Sequence, residues 1–573
     1  MYTRTWATSE RKYDLVVERD VKVRLPDGTT LDGDIWRPDA PGERFPVILG
    51  AHPYNKLLQS PPIRPVGFTT SRGYMESGDP TWFARRGYVH AVFNVRGTGA
   101  SEGFFQLAGP LEVEDTRHLI DWLAEQPWSS GQVGMFGVSY FARLAKFVAA
   151  TNPKPLKAIF APFAGNDYYR HSWYHGGILA PTFLAHWRNS LHRPKVRSLY
   201  REMVGEAAYA EAIARARQDA DVMAFAPLRE ALKNPEVGTN PLLVDVVVNP
   251  LDGPFYAERR GNDAQARVPA YLGGCWGIYG LHLPGAFPAW RDWPGPKKMV
   301  IGPPLYLDRP FFQYQEESLR WFDYWLKGVQ NGIMDEPPVR CFIPPTGEWK
   351  CLQDWPPPEA RWTSFFLHAD GLLSEHEFWP GEGTSSFEDS GFGHGGVTWT
   401  TPPLVENTEV LGPIVLTVYL STTDNDALLF ATLLLVDRQG EEHELTRGWL
   451  RASQRHIVED SEPWAPEYSH DRREPLQPGE IYPLRIAIVP TARLFQVGER
   501  IAVRLKAADD EPARHALQAI ARNHLRRLVP ARITIHHDEN CPSRLDLPIT
   551  RGNIIGTFIS GGDIVSSFTP PST

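Results

Sequence analysis

The sequence predicts an α/β protein made of a parallel-sheet core, a helical segment inserted into it, and a C-terminal β-sandwich. Three observations carry that prediction. Residues 46–50 and 89–93 are short apolar runs without alternation, as suits strands buried on both faces of a parallel sheet. From about 165 to 265 a Trp-, His- and Arg-rich pattern with helical character and no clear sheet signal interrupts the core. Beyond Pro337-Pro338 and Pro356-Pro357-Pro358 the helical period fades, and short alternating segments such as 415–420 and 501–505 take over. The expected boundaries are 1–164 and 266–335 for the core, 165–265 for a cap, and 336–573 for a sandwich of the jelly-roll kind.

Each element has its own local reason. Leu15-Val16-Val17 and Val21-Lys22-Val23 precede the turn Pro26-Asp27-Gly28, and Thr30-Leu31 with Ile35-Trp36 follow it, so the chain opens on an antiparallel hairpin. Leu111, Ile120, Trp122 and Leu123 stand among acids, with Pro127 ending the pattern, which predicts a helix. Gly134-Met135-Phe136-Gly137 then leads into Ser139 and an apolar helical stretch that reaches Ala150. The sheet resumes at 268–272 and again at 299–302, and the amphipathic residues 316–326 supply a closing helix.

Composition narrows the function classes. The 573 residues are 42% apolar and 22% charged, an ordinary balance for several buried cores, and the formal net charge is −9. No basic field is available to recruit nucleic acid or an anionic membrane surface, so neither is an expected partner. The polar first twelve residues and the lack of any stretch of eighteen apolar residues predict a soluble cytoplasmic protein. Cys275, Cys341, Cys351 and Cys541 lack paired metal-type spacing and are expected to be reduced. His171 and His175 are four apart but have no apparent third ligand, so neither a metal nor another cofactor is expected. A small-molecule substrate is the expected partner, and a homo-oligomer is left open.

Strand, sharp turn, helix is the order of an α/β-hydrolase nucleophile elbow. Such a turn exposes the serine hydroxyl at the sheet's carboxyl edge and aims the next backbone N–H at a developing oxyanion. Gly137-Val138-Ser139-Tyr140 fits, although Phe141 occupies the place of the usual second glycine.

Around this elbow the chain resembles the family of cocaine esterase, X-Pro dipeptidyl peptidases and α-amino-acid ester hydrolases. Pro53-Tyr54-Asn55-Lys56 is similar to the family's P-Y-x-K, and residues 96–103 resemble its R-G-x-G-x-S-x-G loop. Glu114-Asp115 with Trp122, Trp128-Ser129 and Gly134-Met135 repeat its approach to the nucleophile. Gly412-Pro413, residues 427–429, 446–453 and 490–492 resemble its C-terminal jelly roll. The resemblance implies Ser139 as nucleophile, with Tyr54 and the Tyr140 N–H as oxyanion donors.

The rest of the family's triad is missing. Where its aspartate is expected, in Gly273-Gly274-Cys275-Trp276-Gly277, stands Gly277; where its histidine is expected, in Gly302-Pro303-Pro304-Leu305-Tyr306, stands Tyr306. Asn94, Ala142 and Ala145 also depart from the pattern. A serine hydroxyl needs a base near neutral pH. His282, in the loop that would hold the acid, is the candidate, with Asp308 as its orienting acid from the next loop. A triad is defined by geometry rather than chain order, so acid and base can exchange loops. His52, Tyr306 and Trp276 are expected to line the substrate pocket. Three functions stay open: a serine hydrolase of esters, amides or lactones, a non-hydrolytic enzyme acting on a carbonyl substrate (proton transfer, C–C cleavage or cyclisation), and a catalytically silent binding protein.

Overall fold

The computed structural model describes residues 7–59, 76–304, 310–376, 378, 381–389, 395–509 and 524–552. The first twelve strands, in chain order, are β1 (Leu15–Arg24), β2 (Thr30–Pro38), β3 (Phe45–His52), β4 (Val89–Asn94), β5 (Ser129–Phe136), β6 (Leu156–Phe160), β7 (Tyr174–His175), β8 (Ile178–Leu179), β9 (Ala270–Cys275), β10 (Lys297–Gly302), β11 (Val339–Ile343) and β12 (Glu348–Leu352). All but the small β7–β8 hairpin form one sheet in the order β1-β2-β4-β3-β5-β6-β9-β10-β11-β12. From β4 to β11 the neighbours are parallel, and antiparallel β1–β2 and β12 close the two edges. Every residue of β3 and β4 is buried, which is why neither run alternates.

Helix α1 (Pro110–Glu125) starts on a proline, whose missing N–H costs nothing in a first turn, and buries Leu119, Ile120 and Leu123. Helix α2 (Tyr140–Ala149), after the elbow, is buried on every side. Helix α3 (Pro310–Lys327) covers the sheet through Leu319, Trp321, Phe322 and Leu326. Arg96 fixes the loop after β4 to α1 by a two-pronged bond to Asp115, 2.6 Å on each arm, and to Asp27 at 2.8 Å. Gly97 has φ +72° in that loop, and a Cβ there would lie 2.1 Å from the Phe105 nitrogen. The R-G-x-G motif is thus a brace for the sheet's carboxyl edge.

The inserted segment holds helices Pro181–Trp187, Leu199–Val204, Glu206–Gln218, Ala226–Lys233 and Asn240–Val247. Asp245 accepts from Ser198 Oγ and from the Leu199 N–H, joining two of them, and burial pushes its carboxyl up to about 7.

The first sheet does not end at residue 335, where the sequence reading closed the core. Met299 to Ile301 pair in parallel with Val339 to Cys341, so β11 and its partner β12 extend it to Leu352. The remaining strands form a second, antiparallel sheet around its own apolar core, built on the long strand Thr408–Thr422 against Tyr482–Phe495 and Arg544–Arg551. A further apolar cluster welds the two sheets, with Trp276, Tyr279, Phe287 and Met299 meeting Trp355, Leu411, Phe430 and Trp449. The four cysteines are free thiols.

A buried polar chain crosses the same boundary. His175 Nδ1 lies 2.8 Å from His524 Nε2, and His524 Nδ1 lies 2.9 Å from Asp509. Arg447 donates to Asp509 at 3.0 Å and to Glu444, which also accepts from the Tyr279 hydroxyl. Burial alone would raise the Asp509 carboxyl, yet His524 and Arg447 hold it at about 2.

Candidate active site

Ser139 sits at φ +60°, ψ −119°, a backbone conformation that costs a non-glycine residue roughly 1–3 kcal/mol. The surroundings impose it. The Gly137 N–H donates to the Phe160 carbonyl at 3.1 Å, the Val138 N–H to the Glu76 carbonyl at 3.1 Å, and the Arg143 N–H to the Ser139 carbonyl at 2.9 Å. Gly137 must be glycine, since a Cβ there would lie 2.1 Å from that of Phe141. Phe141, in place of the second glycine, stacks on His52 with ring centres 4.7 Å apart.

Tyr54 is held over this turn from three directions. Its N–H donates to His52 Nδ1 at 3.1 Å, and its carbonyl accepts from Asn94 Nδ2 at 2.7 Å, a bond an aspartate at position 94 could not donate. Lys56, two residues on, ties the strand end to Asp20, Asp32 and Asp34, each within 2.8 Å. The Tyr54 hydroxyl accepts the Trp187 indole N–H at 3.0 Å and is close enough to Ser139 to feel its side chain. Because the oxygen already accepts from Trp187, its own proton is available to the serine side. Burial, reinforced by Glu76, raises the phenol well above its ordinary value, so it is a neutral donor. The Tyr140 N–H belongs to the first turn of α2, where N–H groups have no intrahelical acceptor. Its side chain looks elsewhere, donating to Glu112 at 2.6 Å.

His282 follows β9 and shares a cavity of ≈ 30 Å³ with Tyr140, Arg143, Tyr168, Ser172, Trp173, Phe183, Trp187 and Leu281. No hydrogen bond joins it to Ser139, and its Nδ1 has no partner among the described residues. Burial, then the charge of Arg143, hold it at about 3, so the ring is neutral. Asp308 and Tyr306 lie outside the described residues. Gly277 is closed to any acid, because a Cβ there would sit 2.0 Å from the Pro304 carbonyl oxygen.

Two expected pocket residues are elsewhere. His52 is wholly buried beneath Tyr54 rather than at a mouth, with burial holding it at about 3. Trp276 faces the second sheet, donating to the Phe342 carbonyl at 2.7 Å and packing beside Phe287 and Trp355. His171 packs against Gly165 and Gly285, while His175 turns to His524.

Three residues escaped the sequence reading. Trp187 orients the phenol, and nothing local marks it within a Trp-rich segment. Glu76 hydrogen-bonds the elbow through its backbone, and burial pushes its carboxyl up to about 8 beside Tyr54. Arg143 was signalled by a cation in the first turn of a mostly apolar helix that also carries Lys146.

Comparison with known proteins speaks to the family and the fold. Residues 27–304 match the family profile described as X-Pro dipeptidyl-peptidase (S15 family), and residues 331–546 that of the X-Pro dipeptidyl-peptidase C-terminal non-catalytic domain. The chain is 27% identical to a cocaine esterase of Rhodococcus sp., over 93% of this chain and 99% of that one. It is 28% identical to a putative serine esterase of Mycobacterium bovis, over 85% of this chain and 90% of that protein. The crystal structure of a CocE/NonD family hydrolase from Staphylococcus aureus superposes with a TM-score of 0.77 at 24% identity, covering 94% of each chain. An α-amino acid ester hydrolase superposes with a TM-score of 0.74 at 18% identity, covering 96% of this chain and 98% of that one.

Proposed function

Since the chain belongs to the X-Pro dipeptidyl-peptidase (S15) family of serine hydrolases, we propose that it cleaves an ester or amide of a small-molecule substrate through an acyl-enzyme on Ser139, with a base other than the family's histidine. The observation that carries this reading is the strained Ser139 backbone at the strand-to-helix turn, with the Tyr54 hydroxyl, oriented by Trp187, beside it. A serine serving only as a turn residue would have no reason to hold a conformation of that cost. In the reaction the Ser139 oxygen attacks the carbonyl carbon, its proton passes to a base, and the carbonyl oxygen becomes an oxyanion. Tyr54 and the Tyr140 N–H donate to that oxygen. Expulsion of the leaving group, reprotonated by the same base, leaves the acyl-enzyme that water then hydrolyses.

His282 is the proposed base. It faces the cavity beside α2 with a free Nδ1, although a ring held at about 3 is a weak acceptor until the site changes on binding. That weakness favours a second reading, in which the pocket and oxyanion donors serve a carbonyl reaction that needs no activated water.

A fluorophosphonate probe separates the two. Stoichiometric labelling that disappears in Ser139→Ala and slows in His282→Ala supports the hydrolase with His282 as base. Labelling indifferent to His282→Ala places the base elsewhere, and no labelling of the native protein sinks the nucleophile.

A further inference from the structure

Arg143 is a buried cation without a counter-ion. Its side chain is 4% exposed, yet no carboxylate pairs with it among the described residues. One arm donates to Ser172 Oγ at 2.9 Å and the plane lies over the Tyr168 ring at 3.5 Å, while Nη1 has no hydrogen-bond partner. Elsewhere in this chain buried arginines are neutralised: Arg96 by Asp115 and Asp27, Arg447 by Glu444 and Asp509. Leaving a guanidinium desolvated and unpaired is costly, and proteins retain such a group where something else supplies the missing charge.

Its position says where that charge belongs. Arg143 stands in the first turn of α2, where its N–H donates to the Ser139 carbonyl at 2.9 Å, and a helical side chain leans toward the N-terminus, here toward the elbow. Tyr168 and His282 line the same cavity, the Tyr168 hydroxyl and His282 Nδ1 have no hydrogen-bond partner among the described residues, and the cavity has room for roughly two waters or one carboxylate group. Three unpartnered polar atoms with one net positive charge make a site that fits an anion with two acceptor oxygens.

We propose that Arg143 binds a carboxylate carried by the substrate, so that this enzyme acts on esters or amides bearing an anionic group a few bonds from the scissile carbonyl. Arg143 is one turn of helix beyond the elbow, a rise of about 5–6 Å along the axis, which suits a carboxylate three or four carbons away, as in the half-esters and half-amides of short dicarboxylic acids. A planar guanidinium takes a carboxylate through two parallel bonds, which a lysine cannot do. The bound anion would also cancel the repulsion Arg143 exerts on a protonated His282.

The inference rests on the Ser139 hydrolase reading for its turnover arm, and a binding arm is independent of it. In turnover, 4-nitrophenyl half-esters of succinic, glutaric and adipic acid are compared with neutral branched-alkanoyl esters of the same shape, subtracting spontaneous hydrolysis. At least one half-ester is expected to have the higher kcat/KM, and the ratio of half-ester to neutral ester should fall at least tenfold in Arg143→Gln. In binding, glutaranilate should bind the Ser139→Ala protein at least tenfold more tightly than neutral 5-methyl-N-phenylhexanamide, and lose that preference in Ser139→Ala/Arg143→Gln. Arg143→Lys, which keeps a cation, should retain part of the preference and decides the matter where Gln prevents folding. If the native protein shows no preference in either arm, or the preference survives Arg143→Gln, the proposal is overturned. If the preference and its dependence on Arg143 appear in binding while fluorophosphonate fails to label Ser139, the anion site stands and the hydrolase reading falls.

Discussion

Replacing Tyr54 by phenylalanine removes one oxygen and separates two functions of the same hydroxyl. The ring keeps its neighbours, with Phe141 at 6.3 Å and Tyr140 at 6.5 Å between centres, so packing is conserved. The Trp187 indole N–H loses its acceptor at 3.0 Å. A buried donor left unsatisfied costs about 1–3 kcal/mol, and the half-buried Trp187 sets this as an upper bound, read as a lower urea midpoint at unchanged m-value. The oxyanion loses one oriented donor, worth about 2.7–4 kcal/mol in the transition state, or roughly 10²- to 10³-fold in rate. Both quantities are measured on one preparation: the urea midpoint for stability, and the second-order rate of fluorophosphonate labelling for chemistry. Trp187→Phe is the control, because it removes the indole donor and leaves the phenol in place. It should cost stability while slowing labelling much less. If Tyr54→Phe lowers the midpoint but labels within about threefold of the native rate, then Tyr54 is only the anchor of Trp187, and the oxyanion assignment is wrong.

The remaining expectations concern the scaffold of the site. Gly277→Asp, which rewrites the family's acid, should lower the melting temperature and not speed labelling, because the new Cβ would press on the Pro304 carbonyl oxygen; a stable, faster variant would contradict this. Lys56→Met removes the cation shared by buried Asp32 and Asp34, which keep only the half-exposed Lys22 and Arg19, and should cost about 1.5–3 kcal/mol in urea denaturation, whereas a loss below about 0.5 kcal/mol would make the cluster incidental. Acid should unfold the protein well above the carboxylate range. Burial holds His52, His90, His171, His282 and His470 at about 3, below the ordinary 6.5, so between those values the unfolded chain binds more protons. Stability therefore rises with pH across that window, by at most about 1.4 kcal/mol per unit for each histidine, and His90→Leu should flatten the slope by one such increment in urea midpoints taken from pH 5 to 7.

What the sequence made legible was local. The β1–β2 hairpin announces itself by a Pro-Asp-Gly turn between apolar segments, β3 and β4 by unbroken apolar runs, and the elbow by glycine, serine and the helix that follows. The misplaced features are those decided by distant partners. β11 follows a proline pair that looks like a domain break, and only its pairing with Met299 to Ile301 shows that it completes the first sheet. Trp276 belongs to a loop that normally borders a pocket, but residues 342 and 355 draw it into the seam between the sheets. His52 precedes a motif tyrosine and was read as facing the mouth; Phe141, at the position where a glycine was missing, fills the space and stacks on it. Arg143 has a local signal, a charge inside a mostly apolar helix, but Lys146 gives the same signal and is satisfied by Asp263, so only the structure tells the two apart.

The chain of contacts from His175 through His524 to Asp509 has a temporal meaning as well as a spatial one. Its two histidines are 349 residues apart, and a ribosome adding 5–20 residues per second makes the second roughly 17–70 s after the first. During that interval the hairpin at the start of the inserted segment waits with its polar face unmatched, while β1 through β6 and the elbow are already made and β9 and β10 follow. The last fifth of the polypeptide thus acts as a latch on the nascent N-terminal half. A protein released early, or synthesised without its final hundred residues, would have its elbow sequence complete but a hairpin whose imidazole has nothing to hold.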